Sequence, residues 1–225
     1  MIVAEQKPFQ QIFEQVKEHN TLLVLGCGTC VTVCMAGGER EVGILSNQLR
    51  LAAQKQEVDL EVWEHTITRQ CDGEFFDPSA TEKIEKADAV LSMGCGVGVQ
   101  HIVELFPDAL VHPGLNTRFY GANLEQGVWA ERCAGCGECV LDQYEGICPV
   151  ARCSKSLLNG PCGGSSDGMC EVNPETIPCA WQQIYDRMKK LNRLEKLMEY
   201  QPPKDWSKDH HGGPGRVTRE DMTLD

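Results

Sequence analysis

Apolar residues at Phe9, Ile12, Phe13 and Val16 fall at i, i+3, i+4 and i+7, the spacing of one helix face. The run Thr21–Leu25 is short and almost wholly apolar, which suits a strand buried on both sides. From Gly37 to Gln54 the helical period returns through Val42, Leu45, Leu49 and Ala52. Leu60–Thr66 alternates like a strand, Ala87–Met93 reads as a further buried strand, Val97–Phe106 as a helix, and Ala109–His112 as a short strand. Strand and helix in alternation predict an α/β fold with a small parallel sheet and crossover helices.

The pattern changes near Gln126–Arg132. From Cys133 to Cys179 there is little periodicity, much glycine and proline, and a cysteine every three to ten residues. Such a stretch buries little apolar surface and must be held by something else. Ala180–Tyr200 regains a helical face through Trp181, Ile184, Tyr185, Met188, Leu191, Leu194 and Met198. After Pro202–Pro203 no packing pattern remains. The expected organisation is therefore an α/β domain over 1–130, a cysteine-rich metal-bound domain with a C-terminal helix over 131–200, and an extended docking tail over 201–225.

Composition narrows the chemistry. The chain of 225 residues has 33 acidic and 21 basic side chains, a net charge of −12, which argues against nucleic acid and anionic membrane as partners. No apolar run reaches the roughly 18 residues that a membrane span needs, so no membrane insertion is expected. The opening MIVAEQKPFQ lacks the apolar core of a signal peptide, and the expected location is cytoplasmic. There thiols stay reduced, so the 13 cysteines point to metal rather than to disulfides.

Their spacing is specific. Cys133, Cys136 and Cys139 are each separated by two residues, and Cys148 precedes Pro149. Three cysteines at this spacing plus a remote one beside proline is the ferredoxin-type arrangement for a 4Fe–4S cluster, although the last gap is eight residues rather than three. A tetrahedral zinc site needs two paired knuckles, which a third cysteine at the same spacing exceeds. Cys153, Cys162, Cys170 and Cys179 follow, so eight cysteines in 47 residues match two tetrathiolate sites by count. One cluster plus a zinc site, or one cluster plus spare thiols, remain the alternatives, and the pairing is not readable from order.

In the first domain Cys27, Cys30 and Cys34 follow the first apolar strand, Cys71 follows the second, and Cys95 follows the third. In a parallel sheet such loops lie at the carboxyl edge, where ligands bind. Five candidates for four places of a third cluster leave one thiol spare. The alternative is that they are small buried residues. Gly94, Gly96 and Gly98 after a strand have part of a nucleotide-binding spacing but lack the full fingerprint. His210–His211 sits in a polar tail and reads as solvated. No nucleophile elbow, zinc-protease motif or P-loop is present.

The ordered run Cys133-Ala-Gly-Cys-Gly-Glu-Cys through Ile147-Cys-Pro-Val-Ala-Arg-Cys, Gly160-Pro-Cys-Gly-Gly, Met169-Cys-Glu-Val-Asn-Pro and Pro178-Cys-Ala-Trp resembles the methylenetetrahydrofolate reductase C-terminal domain family. Gly26-Cys-Gly-Thr-Cys-Val-Thr-Val-Cys-Met-Ala-Gly-Gly-Glu and Gly94-Cys-Gly-Val-Gly-Val-Gln are similar to the N-terminal part of the small subunit of the two-subunit reductase of acetogen-type bacteria. The resemblance implies an accessory subunit in one-carbon metabolism with no catalytic site of its own. It would carry two or three 4Fe–4S clusters, with zinc at one site as a variant. It would deliver electrons to a TIM-barrel partner that binds FMN and methylenetetrahydrofolate, or dock that partner to a larger electron-supplying complex. The alternative role is a zinc-binding scaffold that stabilises the flavin subunit, and a self-sufficient cysteine-dependent enzyme is a third.

Overall fold

The computed structural model describes residues 1–222. The chain divides into two compact units, Met1–Ala130 and Glu131–Asp225. Of the tail expected over 201–225, residues 223–225 lie outside the described residues.

The first unit begins with strand β1 (Ile2–Gln6) and helix α1 (Phe9–Val16). Strand β2 (Thr21–Cys27), the single turn α2 (Cys30–Val33) and helix α3 (Glu39–Gln56) follow. Next come β3 (Glu61–Ile67), α4 (Pro78–Lys86), β4 (Ala89–Ser92), α5 (Gly96–Leu105) and β5 (Val111–Pro113). The unit closes with β6 (Leu115–Glu125) and β7 (Val128–Cys133), and the boundary between the units falls inside β7. Four strands form a parallel sheet in the order β3-β2-β4-β5, and β1, β6 and β7 form a second sheet in which β1 runs antiparallel to β6.

Strand β2 shows why its sequence is an unbroken apolar run. Leu22 and Val24 face a core shared with α1 and α3, through Ile12, Phe13, Val16, Val42, Leu45 and Leu49. Leu23 and Leu25 face the opposite core, shared with Ala80 and Ile84 of α4 and Ile102 of α5. A strand covered on both faces has no position at which a polar side chain would reach water. The helix after β2 and the helix after β4 thus lie on opposite faces, which makes the carboxyl ends of these two adjacent strands the topological switch point of the sheet, the place where such sheets bind ligands.

Helix α4 carries its own start signal. Asp77 accepts from the backbone N–H groups of Ser79 and Ala80 at 2.8 and 2.9 Å, and Pro78 stands at the first helical position, where its missing donor costs nothing.

The second unit is loops with a small core. Its regular elements are the single turn α6 (Pro149–Arg152), the two-stranded ribbon β8 (Met169–Cys170) with β9 (Asn173–Pro178), and helix α7 (Ala180–Lys190). Tyr144, Cys179, Trp181, Ile184 and Met188 form its buried cluster. The Tyr144 hydroxyl donates to the Leu158 carbonyl at 2.9 Å, and the Trp181 indole N–H donates to the Leu157 carbonyl at 3.0 Å, tying the loop to that cluster. The helix expected over Ala180–Tyr200 ends ten residues early. Asn192 turns left-handed at φ 55°, a conformation asparagine tolerates, and Leu194–Met198 continues as a 3-10 turn.

Candidate metal centre at the strand ends and in the cysteine-rich loops

The first unit's cysteines lie where the parallel sheet places them. Cys27 is the last residue of β2, Cys71 follows β3, and Cys95 is the residue before α5, beyond the end of β4. Burial raises the Cys71 thiol above its ordinary range, and the nearby thiols of Cys95 and then Cys27 raise it further. Three adjacent strand ends thus bring three sulfurs into one neighbourhood. Cys30 opens α2 on the loop that follows Cys27.

Cys34 differs from the other four. Like Cys27 it is buried, but its thiol donates to the carbonyls of Ala4, on β1, and Val31 at 3.6 and 3.7 Å. Burial pushes its pKa up, as it does that of Cys71, so its two carbonyl partners rather than its titration set it apart.

One residue that the sequence did not single out organises this edge. Gln70 is fully buried; its amide N–H donates to the Leu25 carbonyl of β2 at 2.8 Å, and its amide oxygen accepts from the Ser92 hydroxyl of β4 at 2.6 Å. It fastens the loop that bears Cys71 across the two neighbouring strands. The glycines after β4 make room for it. A Cβ at Gly94 would sit 2.2 Å from the Gln70 amide oxygen, and one at Gly98 would sit 2.8 Å from its Cβ. The Gly94-x-Gly96-x-Gly98 spacing is therefore accounted for at two of its three positions by packing against Gln70. The sequence shows only a glutamine next to a cysteine, and a lone polar residue has no periodicity to reveal its burial.

In the second unit the Gly135 N–H donates to the Cys133 sulfur and the Ala151 N–H to the Cys148 sulfur, both at 3.4 Å. Gly135 and Gly137 take φ of 65° and 75°, the left-handed region open to glycine, which lets the backbone turn at each gap between cysteines. Burial lowers the pKa of Arg152; Arg132 beside Cys133 lowers it further, while the Cys148 thiol acts in the opposite sense. A second neighbourhood gathers near α7. Cys153 packs against the cluster that contains Cys179, and the hydroxyl of Ser154, next to Cys153, lies 3.4 Å from the Cys170 sulfur. That hydroxyl, with backbone groups of Val172 and Asn173, holds the Cys170 pKa below its usual range. Cys162 is exposed.

All thirteen cysteines are free thiols. Among the described residues no group of three or more histidine, cysteine, aspartate or glutamate side chains is drawn together tightly enough to hold a metal ion. The donor set nonetheless fits a thiolate-held metal. In each unit sulfurs share a neighbourhood, and in the second unit backbone N–H groups already point at two of them, as the ligands of a metal–thiolate centre require.

Residues 112–207 match the family described as methylene-tetrahydrofolate reductase C terminal. The matched segment begins within β5, takes in all eight cysteines of the second unit, and reaches Ser207. The five cysteines of the first unit lie outside the methylene-tetrahydrofolate reductase C-terminal match. No curated protein and no solved structure matches the chain.

Among the described residues no helix is long and apolar enough to cross a membrane. A groove of about 620 Å³ beside α7 is lined by Tyr144, Trp181, Tyr185, Met198 and Tyr200, and none of the thirteen cysteines lines it.

Proposed function

We propose that this chain is a non-catalytic electron-transfer subunit of a methylenetetrahydrofolate reductase complex, serving a partner subunit that carries the flavin and the folate. The observation that carries this reading is the approach of Cys27, Cys71 and Cys95 from three adjacent strand ends, in a chain whose eight second-unit thiols all fall within the reductase-type C-terminal match. When bound, a thiolate-held 4Fe–4S cluster supplies single-electron carriage and needs no substrate pocket.

In the first unit Cys27, Cys30, Cys71 and Cys95 would be the ligands. Cys34 is the spare thiol, held in the core by its bonds to Ala4 and Val31. Gln70 fixes the Cys71 loop against the sheet, and the apolar cores on both faces keep the carboxyl edge rigid. In the second unit Cys133, Cys136, Cys139 and Cys148 would form one set, near the guanidinium groups of Arg132 and Arg152. Cys153, Cys162, Cys170 and Cys179 would form the other, where Ser154 already favours the Cys170 thiolate.

Anaerobic purification with metal analysis and EPR tests this reading. The expected result is a brown protein with roughly 8–12 iron per chain, at four per cluster. It should bind a flavin-bearing reductase subunit when the two are expressed together. Stoichiometric zinc without a redox signal would overturn it in favour of a structural scaffold.

A further inference from the structure

The first part of the segment expected as an extended docking tail lies across the cysteine loops of its own unit. Gln201 is bonded twice to Asn159: its N–H donates to the side-chain oxygen at 2.8 Å, and its carbonyl accepts from the side-chain amide at 2.9 Å. Asn159 lies three residues before Cys162. Two prolines then carry the chain to Lys204, and the turns Trp206–Lys208 and His210–Gly212 follow. Asp205 and Asp209 start these turns by accepting from the Ser207 and His211 N–H groups at 3.0 and 2.8 Å. At Lys208 the backbone lies so close to Gly137 that a Cβ there would stand 2.1 Å from the Lys208 carbonyl oxygen. Gly137 is the residue between Cys136 and Glu138, so the tail sits directly on the Cys133–Cys139 loop.

Lys204 is the unusual member of this contact. Its side chain is 1% exposed, and among the described residues its Nζ has no hydrogen-bond partner. The Glu138 carboxylate, between Cys136 and Cys139, lies 3.6 Å from it. The Trp206 ring centroid is 5.7 Å away. A buried ammonium without a hydrogen bond is costly. It is retained where it compensates negative charge, and the candidate sites here are the thiolates beside Glu138 together with Asp205 and Asp209, whose carboxyls it helps to hold ionised.

We propose that residues 201–212 form a strap that seals the Cys133–Cys139 loop, and that the buried Lys204 charge sets the reduction potential of the metal centre held there. This inference rests on the iron–sulfur reading of that loop. A fixed positive charge favours the more negative, reduced state and raises the potential. Lys204 is a positioning and tuning residue rather than a ligand.

The experiment is an EPR-monitored redox titration of the anaerobically purified full chain, with iron counted in every sample. Lys204→Met is expected to shift the midpoint potential of one cluster to more negative values while the others stay in place. Lys204→Arg is expected to preserve it. Full iron content with unchanged potentials in Lys204→Met would overturn the proposal and leave the iron–sulfur reading standing. If Lys204→Met loses that cluster altogether, Glu138→Gln decides: removal of the carboxylate should move the same potential upward, and an unmoved potential overturns the proposal. Wild-type protein without iron would overturn the iron–sulfur reading itself and this inference with it, so the two failures are distinguished by the wild-type iron count.

Discussion

The two units solve opposite problems with the same residue type. In the first, β2 and β4 are buried on both faces by helices, and Cys30, Cys71 and Cys95 stand at the edge of a core that Cys27 and Cys34 help to fill. In the second, one buried cluster of five residues stands among about ninety residues that are mostly turns and loops, and the cysteines are spread from that cluster out into the exposed loops. On the proposed reading the first unit would hold a metal site, whereas the second would be held by one. A metal–thiolate centre contributes folding free energy where the chain cannot bury enough apolar surface, and contributes only function where it can.

The largest effect expected from this contrast is on metal removal. Stripping metal from the chain with a chelator under reducing conditions should abolish protection of the second unit against proteolysis while the first unit survives as a resistant fragment. Equal loss from both would remove the distinction. Next in size is Leu49→Ala in α3, a fully buried side chain. It should cost the first unit about 2–5 kcal/mol in denaturant unfolding and leave the metal content of the second unchanged.

Gln70→Leu should cost the first unit about 1–3 kcal/mol, because the Leu25 carbonyl and the Ser92 hydroxyl each lose a partner. It should also loosen the Cys71 loop, read as lost iron, which the Leu49 substitution should not cause. The smallest effect is a pH dependence. His112 lies with its Nε2 3.1 Å from that of His19, and burial, then the neighbouring ring, lowers its pKa. The unfolded ring, titrating near 6.5, binds its proton more readily than the folded one, so stability present at neutral pH is lost as pH falls below about 6.5. Thermal unfolding of the first unit between pH 7.5 and 5.5 should show that slope, and His112→Gln should flatten it.

The α/β architecture was legible because burial imposes a period on the sequence. Phe9–Val16 forms α1 over the residues its spacing predicts, and the run from Thr21 is a central strand of the parallel sheet. Elements without that signature were missed. Helix α4 buries only Ala80 and Ile84, and β6 is mostly exposed, so neither carries a strong pattern. Beyond Lys190 the apolar spacing through Leu194 and Met198 suggested more helix, but Met198 is almost fully exposed, and the left-handed Asn192 decides the outcome. At the candidate site the cysteines were visible one by one from their spacing. What was not visible is what surrounds them: Gln70, Ser154 and Lys204 act through contacts between residues far apart in the chain. No local pattern encodes such contacts.

Cys34 has one practical consequence. Its thiol is shielded by the core between β1 and α2 and bonded there to two carbonyls. Alkylating reagents should reach it only when that core opens. Its rate of modification, followed by mass spectrometry, is therefore a built-in clock for the opening of the first unit, readable with every cofactor in place and with no label added.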